Sequence, residues 1–250
     1  MENGPNFSKI FQQSSKDHLK GHPPIPLDDK DWPDEWKMTY YKSYPRLPKI
    51  DLPDEPFKAD FFDLIKKRQS RRDFTRTPIT KRELSLLLKY SCGNVGLLEG
   101  DRHRRAQPSG GARFPIEVYP IFFRSDSSAD GLKAGLYHYN VKDHSLDFLW
   151  DKEFSDEDID KIFTYPWVKN AAVAVVMTSV FWRNQNKYGE RGYRYILQES
   201  GHIGQNIYLV CEALGLKCCA LGGTRDENLE KLIDIDGITE SIVYGLAIGK

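Results

Sequence analysis

Four short stretches of this 250-residue chain hold the residue types best suited to chemistry. The run KRQSRRDF at 67–74 places Arg68, Gln69, Ser70, Arg71 and Arg72 just after a helical segment. Guanidinium groups grip phosphate bidentately and a hydroxyl adds a neutral donor. Basic residues at a helix end also simply offset the helix dipole, so both readings stand. The run PSGGA at 108–112 lets a planar ligand reach the backbone of Pro108, Ser109, Gly110 and Gly111 and accept its N–H groups. It reads equally as a turn into the strand that follows, and it is neither a Walker loop nor a dinucleotide fingerprint. The pair Lys187-Tyr188 offers a lysine that, in a low dielectric, loses its proton near neutral pH and acts as a base. The alternative is an exposed lysine beside a packing tyrosine. Gly222-Gly223 is the second place where a backbone can be approached closely.

The element that must position the last two stretches is a long helix over 193–214. Ile196, Ile203, Ile207, Val210 and Leu214 follow one another at steps of seven, four, three and four, which places them on one face. Gly201 and Gly204 interrupt it at about 1 kcal/mol each relative to Ala. Close approach by another backbone or a flat ligand would offset that cost, and so would tight core packing. Gly215 stops the helix.

Upstream, Asp60 caps a helix to Gln69 with Phe61, Leu64 and Ile65 inward. Thr80 and Glu83 form a capping box for a helix ending at Gly93. A long loop over 94–115 carries RHRR at 102–105. A strand over 116–123 and a hairpin of 136–139 with 146–150 follow. Ser155 caps an acidic helix to Phe163, and the apolar run 171–180 is a buried central strand. Thr224 and Glu227 suggest another capping box for a helix to Ile233, and 242–248 is the last strand. The pattern predicts an α+β sandwich with helices on a mixed or antiparallel sheet. Residues 1–56 stand apart, with nine of the fourteen prolines, which disfavours regular helix or sheet. Their interleaved aromatics, Trp32, Trp36, Tyr40, Tyr41 and Tyr44, argue for an extended arm lying on the body (57–250) or on a second subunit, rather than a floppy leader.

Forty per cent hydrophobic residues suffice for a sizeable core, and 36 basic residues cancel 36 acidic ones. That balance argues against a nucleic-acid or membrane-surface partner. No apolar run reaches the ~18 residues of a membrane span and no signal-like core opens the chain, so a cytoplasmic location is expected. The four cysteines lack metal-ligand spacing; no metal is expected, and Cys218 and Cys219 read as buried thiols.

Taken in order, R-x-S-x-R-x-F (Arg68, Ser70, Arg72, Phe74), PSGGA with Arg113 and Glu117, GLYHY at 135–139, Lys187-Tyr188, ESGHIGQN at 199–206 and ALGL at 213–216 form a familiar series. It resembles the nitroreductase-like flavoproteins, and within them the SagB-type dehydrogenases, or thiazoline/oxazoline oxidases, over about residues 57–249. The resemblance implies an α-β-α sandwich with a central, mostly antiparallel mixed sheet, and a homodimer that binds FMN at its interface. Arg68 and Ser70 would meet the phosphate and ribityl chain. Gln69 stands where the family often has Arg or His. Arg72 would approach the pyrimidine edge of the flavin. Pro108, Ser109, Gly110 and Gly111 would reach over from the other subunit, while the Gly222 and Gly223 amides would lie near flavin N5. Family members commonly carry further basic phosphate ligands in a C-terminal tail, a role for which Lys250 is available.

Lys187 and Tyr188 match the Lys-Tyr pair associated with azoline oxidation, in which a proton leaves one ring carbon and a hydride passes to flavin N5. The implied function is an FMN-dependent oxidoreductase that turns azolines into azoles in a peptide or small-molecule substrate, with a cyclodehydratase as a further partner. Two other functions fit the same residues: an NAD(P)H-dependent reductase of nitroaromatics or quinones, and a non-catalytic flavin-binding subunit of a peptide-modifying complex. His202, Gln205 and Asn206 read as core hydrogen-bonding groups rather than substrate ligands.

Overall fold

Period-two alternation over 173–180 sends Val173, Val175 and Met177 to one side of a strand and Ala174 and Val176 to the other, and all five are fully buried. A strand buried on both faces needs helices on both sides. The computed structural model, which describes residues 6–16, 25–26, 28–97, 103–128 and 131–250, supplies them. Its strands are β1 (Lys49–Asp51), β2 (Asn94–Leu97), β3 (His103–Arg105), β4 (Ile116–Phe122), β5 (Gly135–Asn140), β6 (Ser145–Asp151), β7 (Val173–Val180), β8 (Lys217–Ala220) and β9 (Glu240–Gly249). Its α-helices are α1 (Phe7–Ser14), α2 (Asp34–Lys37), α3 (Phe61–Lys67), α4 (Lys81–Cys92), α5 (Asp156–Ile162), α6 (Trp182–Tyr188), α7 (Arg191–Ala213) and α8 (Asp226–Ile233).

Seven strands form one sheet in the order β1-β6-β5-β4-β7-β9-β8, and each neighbouring pair is antiparallel. Helices α4 and α7 cover one face, where Leu84, Leu87, Ile203 and Ile207 pack on Val175 and Met177. Helices α5 and α8 cover the other, where Ile159, Leu229 and Ile233 meet Tyr119, Ile121 and Val176. The α-β-α sandwich is as expected. Asp60 caps α3, and the boxes Thr80/Glu83 and Ser155/Asp158 close around the starts of α4 and α5. All four cysteines are buried. Among the described residues no helix is long and apolar enough to cross a membrane.

Four local expectations are corrected. Thr224 and Glu227 do not form a box: the Thr224 hydroxyl bonds the nearer carboxylate of Asp226, and Arg225 becomes the N-cap. Phe61 and Ile65 do not face inward, because α3 buries none of its residues and exposes Phe61, Phe62 and Ile65. The stretch 94–115 is not all loop, since β2 and β3 pair as a two-stranded ribbon; Arg102 of RHRR lies outside the described residues. The proline-rich arm holds regular structure after all. Segment α1 contains no proline and is capped by Asn6. Pro33 sits at the N-cap of α2, where its missing N–H costs nothing. β1 joins the edge of the sheet beside β6.

Candidate functional site

The expected site residues gather in two groups at different points along α7. The first surrounds Tyr208. Arg68 ends α3 with its guanidinium 5.3 Å from the Tyr208 ring, and Ser70 Oγ lies 3.0 Å from the Tyr208 hydroxyl. The same hydroxyl accepts the Ala220 N–H at 2.7 Å, which ties the 68–70 turn to the end of β8 just before Gly222 and Gly223. Arg71 N–H donates to the Cys218 carbonyl at 2.9 Å and fixes the turn's height on the sheet. Arg72 lies 5.7 Å from the Trp167 ring, and Trp167 stacks on Tyr165 at 5.4 Å, next to Gly223. Gln69, Ser70, Arg72 and Gly222 are exposed, and no carboxylate pairs with Arg68 or Arg72 among the described residues. Unpaired cations, a hydroxyl, aromatic faces and open backbone make a donor set suited to a phosphate and a flat ring. Lys250 joins neither group: its ammonium pairs with Glu83 at 3.3 Å.

The second group surrounds the first turns of α7. Ser109 Oγ donates to Glu199 at 2.6 Å, Gln107 Nε2 donates to the other Glu199 oxygen at 3.2 Å, and Phe114 N–H donates to Ser109 Oγ at 2.9 Å. Gly110 faces the Tyr195 ring. Gly111 sits at φ +64° with the Tyr188 hydroxyl where a Cβ would be, so both backbone and space require glycine there. Tyr188 meets Tyr195 edge-on at 5.1 Å. Burial pushes the Glu199 carboxyl up to about 7 against the opposing pull of its two hydrogen bonds.

Lys187 lies in α6, separated from α7 by Gly189, and is 5 % exposed. No ion pair reaches it among the described residues. Its ammonium lies 3.0 Å from the centre of the Trp32 ring and 5.3 Å from that of Trp36. Burial, helped by the nearby Arg113 charge, lowers the Lys187 ammonium to about 8, and burial raises the Tyr188 phenol. Helix α6 is anchored one turn earlier. Arg183 Nη1 lies 2.5 Å from Glu117, Glu117 lies 2.9 Å from His138, and His138 lies 3.0 Å from Asp147. Burial opposes ionisation of Glu117, but the His138 bond and the Arg183 charge outweigh it and hold the carboxyl near 2. Burial likewise opposes the charged form of His138, and its two carboxylate partners raise it.

About 13 residues of α7 separate Tyr195 from Tyr208, roughly 20 Å at 1.5 Å per residue. Arg68, Ser70, Gly222 and Gly223 therefore form one group, and Ser109, Gly110, Gly111, Lys187 and Tyr188 another. Sequence reasoning missed Tyr208, Glu199, Trp32, Trp36 and Arg113 as members. For Tyr208, Trp32 and Trp36 the only local signal is aromatic character at positions otherwise read as core or arm, whereas Arg113 and Glu199 fall within the motif series, beside PSGGA and at the head of ESGHIGQN. Of the three α7 residues expected to be core hydrogen-bonding groups, Asn206 donates to the Ser91 carbonyl at 3.1 Å as a packing group, whereas His202 and Gln205 are exposed.

Comparison with known proteins places this geometry. The Nitroreductase family model matches residues 65–250. MJ1384 of Methanocaldococcus jannaschii, which carries a nitroreductase name, is 30% identical over 74% of this chain and 89% of its own length. The trifolitoxin-processing protein TfxB of Rhizobium leguminosarum bv. trifolii is 30% identical over 84% of this chain, which spans 58% of TfxB. The Microcin B17-processing protein McbC of Escherichia coli is 30% identical over 53% of this chain and 49% of its own. Among solved structures, a nitroreductase-named protein from Anabaena variabilis superposes with a TM-score of 0.72 at 25% identity, over 98% of this chain and 46% of that one. The E. coli Microcin synthetase McbBCD complex with truncated pro-MccB17 bound gives 0.60 at 19%, over 98% and 91%. A match across three quarters of the sequence, on the fold and motif order described above, leaves one assignment: the chain belongs to the nitroreductase family.

Proposed function

We propose that this chain is an FMN-dependent oxidoreductase that dehydrogenates azoline rings to azoles in a peptide or small-molecule substrate. The observation that carries the reading is Lys187, a buried lysine without a counter-ion among the described residues, lowered to about 8 and adjacent to Tyr188 and the PSGG turn. Such an amine is neutral in about one molecule in ten at pH 7, far more often than an ordinary lysine, and accepts a proton from an acidic ring carbon. The peptide-processing names of TfxB and McbC support the substrate class.

The residues present fit FMN. Arg68 and Ser70, with Gln69 alongside, would hold the phosphate and ribityl chain, and Arg72 the pyrimidine edge. Tyr208 carries the Arg68–Ser70 turn, and the exposed Gly222 backbone leaves room for a flat ring. When bound, FMN supplies the hydride-accepting chemistry. Lys187 takes the proton lost from the substrate ring, and the Tyr188 phenol, kept neutral by burial, orients that ring.

The two groups, roughly 20 Å apart along α7, favour a homodimer in which Pro108–Gly111 of one subunit completes the Arg68 group of the other. Two surfaces support this: exposed Phe61, Phe62 and Ile65 on α3, and Leu197, Gly201 and Gln205 in one lane of α7. Association with a cyclodehydratase is proposed from the McbBCD assembly.

Purified Lys187→Ala is expected to keep FMN and lose azoline oxidation, and Arg68→Ala to lose FMN. Full azoline turnover in Lys187→Ala would remove the base from the scheme. The nitroreductase name of MJ1384 favours a second reading, reduction of nitroaromatics or quinones with NAD(P)H. Rapid flavin bleaching by NAD(P)H without a peptide would select it. A flavin-binding subunit without turnover of its own would co-purify with a cyclodehydratase and show no effect of Lys187→Ala on product.

A further inference from the structure

The segment over residues 28–44 does more than lie on the body. It is fastened at several points. Within the arm Trp32 Nε1 donates to the Pro26 carbonyl at 2.8 Å, and from the body buried Arg113 donates from Nη1 to the Met38 carbonyl at 3.1 Å. Tyr40 meets Trp182 of α6 edge-on at 5.5 Å, and Lys42 pairs with Glu240 at 2.6 Å. Between these ties Trp32 and Trp36, four residues apart across the start of α2, lie over the Lys187 ammonium. A cavity of about 310 Å³ opens beside them, with Trp32, Trp36 and Thr39 from the arm and Gly111 and Ala112 from the PSGG turn in its walls. Indole faces and glycine backbone together make a slot suited to a flat ring.

We propose that the N-terminal arm is part of the active site, with Trp32 and Trp36 as positioning and specificity residues that shield Lys187 from water and wall the slot for a planar five-membered ring of a peptide. The proposal deepens the oxidoreductase reading above and rests on it for the identity of the ring. The mechanism is desolvation. An indole face on the ammonium gives a cation–π attraction that favours the charged amine. Excluding water from the same ammonium disfavours it, and the net direction at Lys187 is downward. The charged and titratable groups on its side of the indoles are Arg113 from the PSGG side and Arg183 and Tyr188 on its own helix, with Tyr195 of α7 behind Tyr188; Asp29, Lys30 and Lys37 of the arm line the cavity beside the indoles. Arg113 makes hydrogen bonds to two carbonyls but pairs with no carboxylate among the described residues, and its Nη2 is buried without a partner. Opening the arm would admit water to both cations.

The test is the pH dependence of Lys187 acylation by trace acetic anhydride, read by peptide mass spectrometry on the full-length flavin-loaded protein. Wild type is expected to half-react near pH 8. Trp32→Ala is expected to shift that midpoint up by one pH unit or more, while Trp32→Phe, which keeps an aromatic face, stays within half a unit of wild type. Trp36→Ala is expected to raise KM for an azoline peptide at least fivefold with flavin content unchanged. An unchanged labelling midpoint in Trp32→Ala would overturn the proposal. So would faster azoline turnover in that variant, which would make the arm a lid. If the labelling shift appears but wild type turns over no azoline, the oxidoreductase reading fails and the arm's hold on Lys187 stands.

Discussion

Glu199 gives the sharpest pH prediction. Its carboxyl is 2 % exposed, accepts from Ser109 and Gln107, and titrates at about 7 instead of 4.5. A rise of about 2.5 units at about 1.4 kcal/mol each amounts to about 3.5 kcal/mol. The sign follows from proton binding. The folded chain holds this proton more tightly than the unfolded chain, so the stabilising contribution is complete below about pH 4.5 and is lost as pH rises through 7. Most of the loss falls between pH 5 and pH 8. Glu199→Gln mimics the protonated form, because its amide can donate to Ser109 Oγ while its carbonyl still accepts from Gln107. The assay is thermal unfolding of both proteins across that range. Relative to the variant, wild type should lose roughly 5–10 °C of Tm, at about 2–4 °C per kcal/mol for a chain of this size. Parallel curves for the two proteins would show that Glu199 does not titrate as its burial demands.

Other perturbations follow from the same geometry. A Cβ on Gly204 would lie 2.5 Å from Tyr244 Cε1, so Gly204→Ala should cost about 1–3 kcal/mol in chemical denaturation; a neutral result would mean Tyr244 yields freely. Gly201 has nothing within 4 Å in its own chain, so Gly201→Leu should leave subunit folding intact and weaken self-association in sedimentation velocity. An unaltered dimer would move the interface off this lane of α7. Glu117→Gln leaves Arg183 and His138 facing a neutral amide in a buried site and should cost about 3–5 kcal/mol; a loss below about 1 kcal/mol would show that the network does not anchor α6.

Much of the scaffold was legible because its signals are local. The spacing of Ile196, Ile203 and Ile207 marks α7 without reference to any partner, and Thr80-x-x-Glu83 closes within four residues. The errors arose where tertiary contact decides. Phe61 and Ile65 are apolar at helical spacing, which fixes a face but not what covers it. Asp226 outcompetes Glu227 for Thr224 by lying closer. The site itself is assembled across long separations. Ser70 and Tyr208 are 138 residues apart, and no periodicity links them. Likewise Trp32 and Trp36 look like ordinary arm aromatics until the fold brings α6 beneath them. Family motifs supplied Lys187, Tyr188 and the PSGG turn, but only the fold gives Lys187 its apolar surroundings.

The central claim is that this chain carries FMN and uses it to oxidise azolines. Its most direct test is the anaerobic absorption spectrum of the purified wild-type protein before and after addition of an azoline-containing peptide, with the peptide weighed afterwards. Oxidised flavin is expected at about one FMN per chain (each Arg68 group loaded once). Addition of the peptide should bleach it, and the peptide should lose two hydrogen atoms. A colourless protein that FMN cannot reconstitute, or a flavin that every azoline leaves oxidised, would contradict it.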